Sequence, residues 1–314
     1  MKKVAILMST YNGGAFLADQ IRSLQNQTFK NWYLYIRDDG SKDKTIDIIK
    51  QFIKEDKRII YLEDNQIHLG PKNSFFKLLT EVNADYYFFC DQDDVWLPQK
   101  LELMINRIKL KDDTVPQLVY CGLNCVDKNL NYIKNDFEKL PGTIKGKNRF
   151  IGNDMPGCVT LFNTALRNYI INNENNNDKI IMHDWWISLI AQTFGEISFV
   201  NKKLILYRQH ENNSVGAGKS GGFFKKLFRK DIISKQKDLV TTTYYQSKVF
   251  YSIFHNKLTA KDKEFFKFFI ACKDCKPKCR RRFLKKYELN GAPFLSSYIY
   301  RELFIWKLEN ILDK

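Results

Sequence analysis

Three clusters of carboxylates, and one cluster that pairs an arginine with a histidine, carry the chemistry legible in this chain. Asp91-Gln92-Asp93-Asp94 follows the apolar run 86–90 without a break. Carboxylates two positions apart at a strand end project into one site. There they suit a hard divalent cation, Mg2+ or Mn2+, with positions left for phosphate oxygens. The plainer alternative is an acidic turn in which Asp94 caps a helix starting near Leu97. Asp38-Asp39-Gly40-Ser41 ends an earlier apolar run in the same way, and Ser41 or Asp43 suits the cap of a helix at Thr45. Two acidic pairs at neighbouring strand ends repel each other unless a cation or a hydrogen-bonding ligand lies between them. A nucleoside answers one pair and a metal the other.

His183-Asp184-Trp185-Trp186 opens an amphipathic segment further along. A carboxylate in the first turn of a helix is stabilised by the dipole. Beside two indoles it suits a sugar site, since carbohydrate C–H faces stack on indole and a carboxylate takes a hydroxyl proton. The plainer alternative makes Asp184 a helix cap and both tryptophans core. Tyr207-Arg208-Gln209-His210 follows the last apolar strand, where Arg208 and His210 suit a diphosphate or a metal.

The elements that must position these groups follow from hydrophobic period. Short apolar runs at 4–8, 32–36, 58–62 and 86–90 read as buried strands. Residues 16–24, 45–53 and 70–79 repeat their apolar positions at helical spacing. Strand and helix alternating at this rhythm predict βαβ units and a largely parallel sheet, whose ligands bind beyond the carboxyl ends of the strands. Further strands are expected at 118–125, 159–162 and 203–208, and a helix at 183–194. The asparagine-rich 172–177 segment reads as a polar loop, and the glycine-rich 216–222 segment as a linker.

The four clusters together resemble the inverting family 2 glycosyltransferases. The likeness runs from about residue 3 to 215. It rests on Met8-Ser9-Thr10-Tyr11-Asn12-Gly13, Arg37-Asp38-Asp39-Gly40-Ser41-Lys42-Asp43, Asp91-Gln92-Asp93-Asp94-Val95-Trp96 and Tyr207-Arg208-Gln209-His210. The resemblance implies an α/β fold of the GT-A type, with a Rossmann-like, mixed and mostly parallel sheet flanked by helices. Residues 1–218 would form the transferase domain, nucleotide-binding to about 115 and acceptor-binding after it. Residues 219–314 would form a basic helical region. The wording of the motifs is most similar to bacterial rhamnosyltransferases that build cell-wall and capsular polysaccharide. The resemblance further implies that Thr10, Tyr11, Asp38 and Asp39 hold the nucleobase and ribose, with Asn65 and Asn73 gripping the nucleotide. Asp91 would face the ribose or sugar, Arg208 the diphosphate, and Asp93 with His210 the metal. Asp184 falls at the place of the catalytic base, and Trp96, Trp185 and Trp186 would stack on sugar. Many relatives carry Glu-Asp where this chain has His183-Asp184, so the histidine bears on the base or on the acceptor pocket. The function implied is transfer of a sugar, dTDP-L-rhamnose as first choice of donor, to a lipid-linked cell-surface polysaccharide. A UDP-hexose or UDP-N-acetylhexosamine donor is the alternative, and a non-catalytic membrane-associated scaffold the rival outside the enzyme class.

Composition narrows the remainder. The chain has 314 residues, 44% of them hydrophobic, enough to bury a core. Its net charge of +16 is uneven: residues 1–218 hold 28 basic and 26 acidic side chains, and residues 219–314 hold 23 and 9. The basic third interleaves Lys and Arg with Phe at 223–230 and 265–269, the pattern of a helix lying on an anionic membrane surface. The alternative is a helical bundle with phenylalanines in its core, and a further role in oligomerisation is compatible with it. No nucleic-acid motif accompanies the charge. No run of about 18 apolar residues exists to span a membrane. The 4–8 run after Lys2 and Lys3 is too short for a signal peptide. Seven scattered cysteines read as reduced thiols, and Cys272, Cys275 and Cys279 lack a nearby fourth zinc ligand. These features predict a cytoplasmic protein, peripheral on the inner face of the cell membrane.

Overall fold

The alternating runs of the first hundred residues become strands and helices in turn. A computed structural model describes residues 2–64, 67–133, 142–171, 180–211, 228–290 and 295–313. Its contacts gather into two compact units, one of Met1–Gly142, Met155–Glu174 and Met182–Ala217, the other of Thr143–Asp154, Asn175–Ile181 and Gly218–Lys314.

The first unit is built on β1 (Val4–Thr10), β2 (Trp32–Asp38), β3 (Ile59–Tyr61) and β4 (Tyr86–Cys90), connected by α1 (Leu17–Gln25), α2 (Thr45–Glu55) and α3 (Gly70–Glu81). Each strand is apolar along nearly its whole length because a parallel sheet covered by helices is buried on both faces. The helices turn only one stripe inward, as Ile49 and Phe52 show in α2. Pro71 sits in the first turn of α3, where no intrahelical donor is lost.

One eight-stranded sheet results, ordered β3-β2-β1-β4-β7-β6-β8-β5. β1 runs parallel to β2 and to β4, and their register sets Met8 beside both Ile36 and Cys90. Thr10, Asp38 and Asp91 therefore leave the sheet on one edge. β6 (Gln117–Val126) and β7 (Thr160–Asn163) pair antiparallel, while β8 (Glu196–Arg208) runs parallel to β6. The architecture is a mixed, mostly parallel sheet flanked by helices, as expected.

Three local expectations are corrected. β8 begins at Glu196 rather than near 203, because shifts in the β6 to β8 register carry the polar Asn201-Lys202-Lys203 stretch through the strand with those side chains exposed. Just before the helix expected near Leu97, Val95–Trp96 forms a short strand, β5, pairing Val95 with Leu206. The next helix, α4 (Lys100–Ile108), consequently starts after Pro98 with no side-chain cap, so Asp94 does not cap it. After β7 come α5 (Thr164–Ile171) and α6 (His183–Phe194), the latter where the periodicity places it.

The second unit contains α7 (Phe228–Phe254), α8 (Ala260–Ala271), α9 (Pro277–Lys286) and α10 (Leu295–Leu312). Its core is aromatic. Phe265, Phe266 and Phe269 of α8 are buried against Phe150, Phe250, Phe283 and Phe304. The expectation that this phenylalanine cluster faces a membrane is thereby overturned: its one-turn spacing points it into the bundle and leaves Lys267 outside. The side chains of the 223–230 cluster, and the 172–177 and 216–222 segments, lie outside the described residues. Among the described residues no helix is long and apolar enough to cross a membrane.

Arg280 departs from the exposed pattern of its basic neighbours. It is buried, and its guanidinium donates to the carbonyls of Cys272, Lys273 and Ile305. One side chain thus satisfies the end of α8 and a carbonyl of α10. Replacing it by methionine removes these three hydrogen bonds, and of the three carbonyls that of Cys272 keeps the Cys275 NH as a donor. We expect Arg280→Met to cost the helical unit about 2–3 kcal/mol, read as a lowered thermal midpoint and faster amide exchange in α9 and α10.

Candidate active site

The end of β1 is tied down by neighbouring strand ends. Tyr11 is clamped through its backbone by the Gln92 amide, which accepts from the Tyr11 NH at 2.9 Å and donates to its carbonyl at 3.0 Å. Asn12 adopts a left-handed conformation, its NH donating to the Ser41 hydroxyl and its side chain accepting from the Lys42 NH. Gly13 is required by this closure, since a Cβ there would lie 2.1 Å from the Gln92 carbonyl oxygen. The amide of Gly14 donates to Asp43, which also accepts from the Thr45 NH at the start of α2.

The acidic pair after β2 is satisfied from within. Asp38 accepts from the hydroxyls of Thr10 and Ser41 and from the NH groups of Gly40 and Ser41. Asp38 and Thr10, expected at the nucleotide, are both buried with their side chains engaged within the loop. Asp39 accepts from Arg37 at 2.6 Å and from the Leu69 and Gly70 NH groups, with His68 Nδ1 at 2.9 Å. Burial pushes its carboxyl up, but the Leu69 NH, the Arg37 guanidinium and the Gly70 NH outweigh it and hold the group below its usual value. The repulsion expected of this pair is thus met without a cation. Of the donors to Asp39 only His68 is an exposed side chain, so it is the one a ligand can displace. His68 also lies 4.7 Å from the ring of Tyr11, and the two exposed rings form an aromatic platform at the strand ends. Asn73 spends its amide on the Leu69 carbonyl and keeps Oδ1 buried without a partner, whereas Asn65 lies outside the described residues.

The second acidic group is not satisfied in this way. Asp93 meets His210 at 2.8 Å, bringing together two residues 117 positions apart that the sequence reading paired. Asp91, Asp94 and the Cys158 thiol offer ligand atoms all within 4.8 Å of one another. Enclosure pushes the Asp91 carboxyl up to about 7, and the charges of Asp93 and Asp184 add to it. Asp94 is raised well above its usual value by burial and then by Asp93 and Asp91. It accepts from the Arg208 NH through Oδ1 while Oδ2 has no partner. Clustered carboxylates with an orphaned buried oxygen and an adjacent imidazole fit a hard divalent cation. The Cys158 thiol is raised far above its usual value by burial, which disfavours the thiolate a metal would need.

Arg208 has a different place from the one expected. It is buried, and its guanidinium donates to the carbonyls of Asp93 and Lys128 and to Asp19, over the ring of Phe16. Through the Asp93 carbonyl it latches the acidic turn. The three tryptophans are corrected as well. Trp96, Trp185 and Trp186 are 1%, 6% and 1% exposed, so none presents an indole face to a sugar. They pack the core beneath the site.

Asp184 stands in the first turn of α6 and accepts from the Gly157 NH at 3.2 Å and the Trp185 NH at 2.6 Å. Burial lifts its carboxyl to about 6 against those hydrogen bonds. His183 beside it is sandwiched between Phe75 and Phe89, and burial lowers it to about 3, so the imidazole is neutral. Two residues given no role in the sequence analysis also belong to the site: Gln92 and His68. Gln92 sits inside the acidic motif, where an amide that both donates and accepts is a usable signal. His68 carries none, because its partners Asp39 and Tyr11 are remote in sequence.

Known proteins match this arrangement. The model for glycosyl transferase family 2 matches residues 5–173. The dTDP-rhamnosyl transferase RfbG of Shigella flexneri is 29% identical over 255 residues, spanning 77% of this chain and 82% of its own. The solved structure of S. aureus TarS 1-349 in complex with UDP aligns with a TM-score of 0.56 at 13% identity, covering 99% of this chain and 90% of that one. The mannosyltransferase PcManGT from Pyrobaculum calidifontis, in complex with GDP-Man and Mn2+, aligns with a TM-score of 0.52 at 13% identity, covering 99% and 86%. These likenesses establish the GT-A type fold. The family match takes in over half the chain, from β1 to the end of α5, with Asp39, Asp91 and Asp93 inside it, and this chain belongs to glycosyl transferase family 2.

Proposed function

We propose that the chain is an inverting, metal-dependent glycosyltransferase that moves L-rhamnose from dTDP-L-rhamnose to a hydroxyl of a growing, lipid-linked cell-surface polysaccharide. The observation that carries the reading is that residues 157 and 158 join Asp184, on α6, to the carboxylates that end β4: the Gly157 NH donates to Asp184, and the Cys158 thiol lies within 4.8 Å of the ligand atoms of Asp91 and Asp94. The rhamnosyl choice draws on the likeness to RfbG along most of both chains.

The nucleoside lies at the ends of β1 and β2, where Tyr11 and His68 offer ring faces and Asp39 lies beneath them. Asp91 faces the ribose or the sugar. Asp93 and His210 would hold Mg2+ or Mn2+, and when bound the cation neutralises charge on the leaving diphosphate as a Lewis acid. The acceptor oxygen attacks the anomeric carbon from the face opposite the diphosphate. As that C–O bond forms, the bond to the phosphate oxygen breaks, the electron pair leaves with the nucleoside diphosphate, and the acceptor proton passes to Asp184. A carboxylate lifted to about 6 is both deprotonated at neutral pH and basic enough to take that proton. One displacement inverts the centre, so a β-linked donor gives an α-glycoside.

The protein works at the cytoplasmic face of the membrane, held there by the basic helical region. With its aromatic core buried, the attraction falls to exposed charge, as on α9, where Lys278, Arg281, Arg282, Lys285 and Lys286 are exposed and no acidic residue intervenes. Near an anionic surface each is worth about 1 kcal/mol.

Asp184→Asn should lower turnover about 10³-fold while leaving nucleotide affinity unchanged. A base works only when deprotonated, so wild-type kcat should fall about tenfold per pH unit below 6 and level off above it. A flat profile from pH 5 to 7 counts against the assignment. Calorimetric titration with dTDP, UDP and GDP, each with and without Mn2+ or Mg2+, should give tightest binding for dTDP with metal. Preference for UDP discards the rhamnosyl donor and keeps the enzyme class, while binding of none defeats the transferase reading. In flotation the full chain should rise with vesicles containing phosphatidylglycerol and not with neutral ones, the difference fading at high salt. Equal distribution refutes peripheral binding.

A further inference from the structure

Lys100 is the least expected side chain in the first unit. It opens α4, is 0% exposed, and among the described residues has no carboxylate within ion-pair distance. Lysine is almost never fully buried unless paired, and an ammonium withdrawn from water costs several kcal/mol. Two interactions offset that cost. Its Nζ lies 3.0 Å from the centre of the Trp96 ring, a cation–π contact that accounts for the burial of this indole. It also donates one hydrogen bond, 2.6 Å long, to the carbonyl of Cys158.

Cys158 belongs to the single 3-10 turn Gly157–Val159, which follows Pro156. That turn reaches both halves of the candidate site. The Gly157 NH donates to Asp184, and the Cys158 thiol sits among Asp91 and Asp94. The turn is tightly packed: a Cβ on Gly157 would lie 3.0 Å from His183 Nε2, 3.4 Å from the Phe89 Cβ and 3.6 Å from the Asp184 Cβ. A shift of the Cys158 carbonyl therefore moves the donor that orients Asp184. His183 fills the space behind it, with neither ring nitrogen bonded.

We infer that Lys100 is a positioning residue for the transfer step: its ammonium pins the Gly157–Val159 turn through the Cys158 carbonyl, and through the Gly157 NH the turn aims the Asp184 carboxylate at the acceptor. The inference rests on the proposal that Asp184 is the base. A lysine present only to fill the core would be replaceable by an apolar side chain of like volume at little cost. Lys100 instead spends its one strong bond on the turn that serves the site.

The test is a double-mutant cycle of Lys100→Met with Asp184→Asn in the full chain, followed by single-turnover transfer at saturating donor. Lys100→Met alone should lower the transfer rate about 100-fold, the scale of a misplaced reacting group, with donor-nucleotide affinity within about twofold of wild type. In the Asp184→Asn background the same substitution should cost almost nothing, because the group it aims is already gone. Wild-type turnover in Lys100→Met, or an equal loss in both backgrounds, overturns the inference. Wild-type turnover in Asp184→Asn alone overturns the base assignment and with it the reading on which the inference rests. A normal Asp184→Asn defect with additive losses defeats Lys100 alone. Should Lys100→Met melt without cooperativity, Gly157→Ala, which presses on the same turn from the other side, takes its place in the cycle. Non-additive loss then supports the coupling, and unchanged or additive turnover refutes it.

Discussion

Like charge crowded at one edge of a sheet is the constraint to which the rest of the first unit answers. Parallel pairing of β1 with β2 and β4 puts Asp38, Asp39, Asp91, Asp93 and Asp94 near the same strand ends. Carboxylates that close raise one another's free energy unless each finds donors or gives up its charge. The molecule resolves the two groups differently. Backbone NH groups, hydroxyls and Arg37 saturate the pair after β2, which makes it rigid. The group after β4 receives only partial relief from Arg208 and His210 and is left with raised carboxyls and an unpartnered oxygen. Unrelieved negative charge is what a binding site for a cation requires, and a fully satisfied cluster could not provide it.

The same reasoning separates residues that form the site from those that hold it. Gln92 ties the acidic motif to the Tyr11 backbone at the end of β1, and Arg208 holds the motif through the Asp93 carbonyl. The tryptophans form a floor beneath the site, with Trp96 lending its face to a buried ammonium. Polar side chains that are fully bonded and buried specify geometry, whereas those partly bonded and partly exposed remain open to a ligand. By that criterion Tyr11, His68, Asp91 and Asp93 are the accessible groups, and Thr10, Asp38 and Arg208 are the frame.

In the helical unit, composition alone was ambiguous between a membrane face and a core. Phe265, Phe266 and Phe269 went inward because α8 has three neighbours to pack against, and aromatic burial outweighs any surface alternative. On α9 the charge remained outside apart from Arg280, whose fork geometry satisfies several carbonyls at once.

The alternation of strands and helices, the polar ending of each strand, and through these the family, can be read from the order of residues along the chain. All of this is written in local period and in short motifs whose residues are neighbours along the chain. It also brought out the pairing of Asp93 with His210, though only through a resemblance. Tertiary structure alone decided which of the polar residues are spent. Asp38 is bonded mostly by its neighbours Gly40 and Ser41, with Thr10 adding one remote donor, whereas the engagement of Arg208 depends on a turn more than a hundred residues upstream. The burial of Lys100 follows from the closing of Cys158 and Trp96 around it. Hydrogen-bond saturation and burial are properties of contacts between remote segments, so no local pattern records them.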